Sequence, residues 1–174
     1  MLRPFILPVL LLLALVSCPG GFAQVSDPIG VASLSGLTGF CVSAGESNRQ
    51  AESAKLPPDQ LRDDAVATLR AAGIGLVPAS AWLDSAGAAE LYLEADMLGH
   101  GANQFSFALR VSVIQKVSLQ TKADRQTLAA TWSKSSMGIA GSLNAASIIR
   151  EQMGILVKQF IDSYRAANPP PKKE

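Results

Sequence analysis

From Phe105 to Leu119 the chain alternates apolar and polar residues for longer than anywhere else. Phe105, Phe107, Leu109, Val111, Val113, Val117 and Leu119 fall on one side; Ser106, Arg110, Ser112, Lys116 and Ser118 fall on the other. A period of two is the mark of a half-buried strand. At about 3.3 Å per residue this one would span roughly 50 Å, far beyond an ordinary strand. The alternation breaks only at Ile114 and Gln115, so the strand is expected to bulge or bend there.

A strand of that length needs neighbours on both sides. Upstream, Leu91, Leu93, Ala95 and Met97 alternate with Tyr92, Glu94 and Asp96, and Gly99 to Asn103 supplies a turn. Downstream, Lys122 to Arg125 reads as a second turn, followed by Leu128, Ala130 and Trp132 in a last strand. Two further strands are expected earlier, at Leu37–Ser43 and Ile74–Val77. Ser133 to Gly141 is small and reads as a flexible connector.

Two segments change to helical spacing. Pro57-Pro58-Asp59 opens the first, whose Leu61, Ala65, Leu69 and Ala72 share a face, and Gly73 closes it. In the second, Ser142 or Asn144 is placed to cap a helix with Ile149, Met153, Leu156, Phe160 and Tyr164 on one stripe. Each helix has one apolar stripe and the sheet one apolar face. The economical packing is a two-layer α+β sandwich, β-α-β-β-β-β-α, with a largely antiparallel or mixed sheet and both main helices on one side.

The front of the chain carries an address. Arg3 precedes an apolar run, Phe5 to Val16, of about 12 residues, long enough for a signal peptide and short of the roughly 20 that span a membrane. Two cleavage sites compete. Gly21-Phe22-Ala23 suits an ordinary signal peptidase and is the better fit, leaving 1–23 as a signal peptide and a soluble product. Leu15-Val16-Ser17-Cys18 resembles a lipobox, in which Cys18 would be the lipidation site and would anchor the protein to the outer membrane. Either way the expected location is the periplasm. Residues 24–36 then read as a flexible N-terminal arm, 37–168 as a single α+β domain, and 169–174 as a disordered tail. About 150 residues suffice for one core and are too few for two.

With 15 basic and 14 acidic residues the chain is close to neutral, which argues against nucleic acid as a partner. Cys18 leaves with the signal or is acylated, so Cys41 has no intramolecular partner. Set in the apolar run Leu37–Val42, it reads as a buried, inert thiol. His100 is the sole histidine and sits between glycines, where a surface turn residue is expected. No catalytic residue, cofactor or metal ligand is indicated, and Gly138–Ser142 lacks the lysine of a phosphate loop. Arg110 and Lys116 lie on the polar face of the long strand, where they could meet anionic lipid or glycan groups or simply be solvated.

Three short stretches carry a resemblance: Leu69–Val77 (LRAAGIGLV), Ala130–Ser133 (ATWS) and Leu156–Pro169 (LVKQFIDSYRAANP). They resemble a group of small exported bacterial proteins. The order of elements is similar to the anticodon-binding-domain-like fold of envelope assembly proteins, among them the lipopolysaccharide-assembly lipoprotein, the soluble part of the curli secretion channel and the N-terminal domain of the Tol propeller protein. That resemblance implies a non-catalytic envelope protein that binds another protein or itself and touches the membrane only through a lipid anchor. A periplasmic binder of lipid, glycan or another small ligand is the alternative, and a hydrolase the second alternative.

Overall fold

The computed structural model describes residues 27–45, 55–101 and 103–170. The signal segment and Cys18 lie outside the described residues. Within them the chain runs α1 (Pro28–Ala32), β1 (Gly39–Ala44), α2 (Pro58–Ala71), β2 (Ala88–His100), β3 (Gln104–Leu119), β4 (Lys122–Gly141) and α3 (Ala145–Ala167). The four strands form one sheet in the order β1-β2-β3-β4. β1 is parallel to β2, and the other two pairs are antiparallel. This is the mixed α+β sandwich expected of the alternation and the two stripes.

One core joins the layers. Phe40 and Leu91, Leu93, Met97, Leu109, Val111, Val113 and Trp132 from the sheet meet Leu61, Ala65 and Leu69 of α2 and Ile149, Met153, Leu156, Val157, Phe160 and Ile161 of α3. Phe160 packs edge-on against Phe40 at 5.0 Å and Trp132 at 5.4 Å, touching residues from the two outermost strands at once. Where α2 ends, Gly73 takes φ +75°. The Gly73 amide then bonds the Arg70 carbonyl, and the Ile74 amide bonds that of Leu69, both at 3.0 Å. This pattern satisfies the last free carbonyls of the helix while Leu69 and Ile74 close into the core.

The break in the long alternation is real, and its extra residue is on the partner strand. Val113 pairs with Trp132 but Ile114 with Ala130, leaving Thr131 of β4 bulged. The Thr131 carbonyl accepts from Ser33 Oγ at 3.2 Å, and its hydroxyl accepts from Gln115 Nε2 at 2.6 Å. Gln115 Nε2 also donates to the Ser33 carbonyl at 2.8 Å. The bulge thus turns spare polar groups toward the N-terminal segment.

That segment corrects the expectation of a loose arm over residues 27–36. Asp27 caps α1 by accepting from the Gly30 amide at 2.9 Å, and Leu34 is wholly buried. Asn168, just past α3, donates to the Leu34 carbonyl at 2.9 Å and accepts from the Gly36 amide at 2.8 Å. Tyr164 Oη donates to the Leu37 carbonyl at 2.8 Å. Gly, Ser and Pro made the stretch look free. One leucine and three distant side chains hold it.

Two strand assignments also change. Ile74–Val77 is reduced to a single bridge, in which Phe40 bonds the Gly75 carbonyl and the Val77 amide at 2.9 and 3.0 Å. Pro78, without an N–H, cannot extend it. Ser133–Gly141 is no connector but the second half of β4, paired with β3 from Ser112↔Ser133 to Gln104↔Gly141. Its small residues serve packing. A Cβ on Gly138 would come within 2.6 Å of Phe107 Cζ, so the glycine leaves room for that ring.

Replacing Phe160 with Ala should cost about 3–5 kcal/mol, and Asn168→Ala about 1–2 kcal/mol, because it strands the Leu34 carbonyl and leaves the exposed Gly36 amide to water. Urea unfolding of the two variants checks both. A Phe160→Ala protein as stable as wild type would refute its place at the centre of the core.

Candidate functional site

The sheet face turned away from the helices is defined by register. On it β2 places Glu94, Asp96, Leu98 and His100, β3 places Ser106, Ala108 and Arg110, and β4 places Ser135, Met137 and Ile139. Toward Gly138 and Leu98 this face is apolar. Asp96, Ala108 and Met137 lie in one row across three strands, and Leu98, Ser106 and Ile139 in the next. Ala108 and Ser106 are short and central, while Leu98, Met137 and Ile139 stand taller on either side. The result is a shallow cleft of about 490 Å³ floored by β3. Its walls are open to solvent: Leu98 is 56% exposed, Ile139 68% and Met137 83%. Isolated surface leucines are ordinary, but here three large exposed apolar side chains gather around one concavity.

The polar residues singled out by the sequence are dispersed around this cleft. Arg110 is paired with Glu94 across β2 and β3 at 3.4 Å, in the open. Lys116 lies farther along β3, beside Gln115, on the rim of a separate depression formed with Trp82 and the 83–88 turn. The two cations therefore make no joint anion site. Gly138–Ser142, weighed as an anion loop, is mostly strand: residues through Gly141 pair with β3, and the Ser142 amide is bonded to the Asn103 carbonyl at 3.0 Å.

His100 ends β2 and is exposed, as a turn residue would be, yet its Nε2 lies 2.6 Å from Ser106 Oγ. Sequence reasoning missed this pair. The signal was the hairpin itself: once Leu98 faces Ser106 and His100 faces Gln104, the histidine and the serine are diagonal neighbours. Nucleophile and base geometry is present, but no carboxylate orients the imidazole among the described residues, as a serine hydrolase site requires. Also among the described residues, no group of three or more His, Cys, Asp or Glu side chains could hold a metal ion.

Cys41 is buried and free of any disulfide. It lies on the opposite face of β1 from Phe40, level with Glu90. Burial raises its pKa, and the nearby Glu90 carboxylate adds to the effect. Both disfavour the thiolate, which is the reactive form. Glu90 in turn accepts a short hydrogen bond from Ser43 Oγ.

No family model matches the chain, and neither does any curated protein. Solved structures similar to it include a PelC dodecamer from Paraburkholderia phytofirmans, at 16% identity and a TM-score of 0.43, covering 74% of this chain and 89% of that one. Another is a minor lipoprotein from Acinetobacter baumannii, at 7% identity and a TM-score of 0.25, covering 75% and 92%. Likenesses of this size carry no functional argument, so the chain's own surfaces must supply one. No helix among the described residues is long and apolar enough to cross a membrane.

Iodoacetamide should modify Cys41 slowly in the folded protein and rapidly in urea, with the adduct located by peptide mass. Because the native thiol holds its proton more tightly than the unfolded one, its contribution to stability is complete below the unfolded pKa of about 8.5 and is lost as pH rises above it. The stability difference between wild type and Cys41→Ala should therefore shrink between pH 7 and pH 10. A constant difference would show that burial does not perturb the thiol.

Proposed function

We propose that this chain is a non-catalytic exported module that docks another protein on the open face of β2, β3 and β4. One observation carries the reading: the cleft walled by Leu98, Met137 and Ile139, apolar and solvent-exposed on a sheet whose other face, at this level, is packed into the core. Covering such side chains releases free energy at roughly 25 cal/mol per Å² of apolar surface removed from water. A rigid β-sheet presents them without further ordering cost. The neighbouring long strand β4 has no strand on its outer side among the described residues, which adds an edge on which a partner can build. Export rests on the apolar run behind Arg3. The absence of a reaction rests on the incomplete surroundings of His100 and Ser106 and on the protonated state favoured at Cys41.

A photo-crosslinking amino acid at Met137, introduced into the chain in its native cells, should yield a covalent adduct with a protein. Ile139→Asp, on the opposite lip of the cleft, should reduce that adduct at least tenfold while leaving the far-ultraviolet circular dichroism unchanged. No adduct at Met137, with the position as accessible to solvent in cells as in the purified protein, would sink the docking role.

A further inference from the structure

β3 and β4 continue past the rest of the sheet. Pairing with β2 extends along β3 only to Ile114, whereas pairing with β4 goes on through Lys116↔Leu128, Val117↔Thr127 and Ser118↔Gln126 to Leu119↔Lys122. Lys116 to Leu128 is therefore a two-stranded arm projecting beyond the layer that packs on the helices. A lone hairpin is marginal in water, and this one keeps Leu119 40% and Leu128 50% exposed at its sides. It carries Lys116, Lys122 and Arg125 against one acid, Asp124, for a net charge of +2 in a chain that totals only +1.

The cleft has the opposite character. Its apolar walls are bordered by Asp96, which lines it and makes no ion pair among the described residues, whereas Glu94, two residues further along the same strand and face, is already balanced by Arg110. A basic, leucine-bearing ribbon and an acidic, apolar depression complement each other in charge and in chemistry. They cannot meet within one molecule. Both are built on β3, and the eight residues from Ala108 to Lys116 hold them roughly 27 Å apart along a stiff strand.

We infer that the occupant of the cleft is a second copy of this chain, whose Lys116–Leu128 arm lies across the neighbour's open face with Leu128 seated between Leu98 and Ile139 and Arg125 or Lys122 beside Asp96. The inference rests on the docking reading and names its partner. Leu128 is suited to the contact because it shares the open-face side of the arm with Lys116, its partner across the pair. The contact is head-to-tail: each copy offers one arm and one cleft, so copies add in one direction and form a ring if the rotation closes and a filament if it does not.

Complementation tests this geometry. Leu128→Glu disables the arm and leaves the cleft; Ile139→Asp disables the cleft and leaves the arm. In sedimentation of the purified mature protein, wild type should form species larger than a dimer, and each variant alone should sediment as a monomer. A mixture of the two should give a one-to-one dimer and nothing larger, because only one intact junction can form. Should either side chain disturb folding, Arg125→Glu and Asp96→Arg form a second pair, each expected to weaken assembly at least tenfold, with assembly recovered when both are placed in one chain. Monomeric wild type at high concentration would overturn the inference. So would a mixture of the variants that stays monomeric while each still folds. The crosslinker at Met137 separates the two levels: an adduct with a different protein leaves the docking role intact and removes the second copy, whereas no adduct removes both.

Discussion

Phe160 is the contact on which the other parts of the molecule depend. Its ring sits between Phe40 of β1 and Trp132 of β4, the two edges of the sheet, and is tilted against Tyr164 one helical turn on. Edge-to-face ring pairs add about 0.5–1.5 kcal/mol each beyond the area they bury, but their geometry matters more here than their sum. By touching both edge strands, one helical side chain fixes the position of α3 across the sheet. Trp132 is held at the position beside the bulge, so the same contact also sets where β4 bends. Tyr164 then reaches Leu37 and Asn168 reaches Leu34 and Gly36, drawing the N-terminal segment onto the core.

A mismatch of lengths follows from this arrangement. The 23 residues of α3 rise about 35 Å at 1.5 Å per residue, whereas the 20 residues of β4 extend roughly 65 Å at 3.3 Å per residue. No helix among the described residues is long enough to cover the longest strand. The surplus appears at one end as the bare arm, Lys116 to Leu128. The face away from the helices carries the cleft toward the other end of the same strands. By contrast, the Arg150 and Asp64 pair that joins α3 to α2 at 2.7 Å is exposed on both sides, where water and salt screen it, and adds little to the packing.

The chemistry of the polar groups is correspondingly quiet. Arg110 is neutralised by Glu94, Glu90 is occupied by Ser43, and Cys41 is kept protonated by burial and by that same glutamate. What remains outward is the His100–Ser106 pair and an apolar surface with a charge border. Such a surface is suited to recognition, since its attraction needs no precise alignment and its charges select orientation.

By itself the sequence determined most of what depends on local periodicity, though not the bulge at Thr131 that turns Ala130 and Leu128 to the face opposite Trp132. The alternation from Phe105 to Leu119 specified the half-buried strand and placed its irregularity beside Ile114. The spacing Leu61, Ala65, Leu69 and Ile149, Met153, Phe160 specified two one-sided helices, and Gly73 their first stop. The mixed α+β sandwich follows from those patterns, because each apolar face has only the other in which to be buried. Tertiary structure alone decided the rest. Ser133–Gly141 has the composition of a loop and becomes a strand because β3 needs a partner and Phe107 needs the space at Gly138. Residues 27–37 have the composition of a tether and are ordered because Asn168, Tyr164 and Gln115, 82 to 134 residues away, supply their hydrogen bonds. The cleft was invisible for the same reason: Leu98, Ala108, Met137 and Ile139 belong to three strands, and only their register brings them side by side. Periodicity is a property of neighbours along the chain, whereas a surface is made by residues that the chain itself keeps far apart.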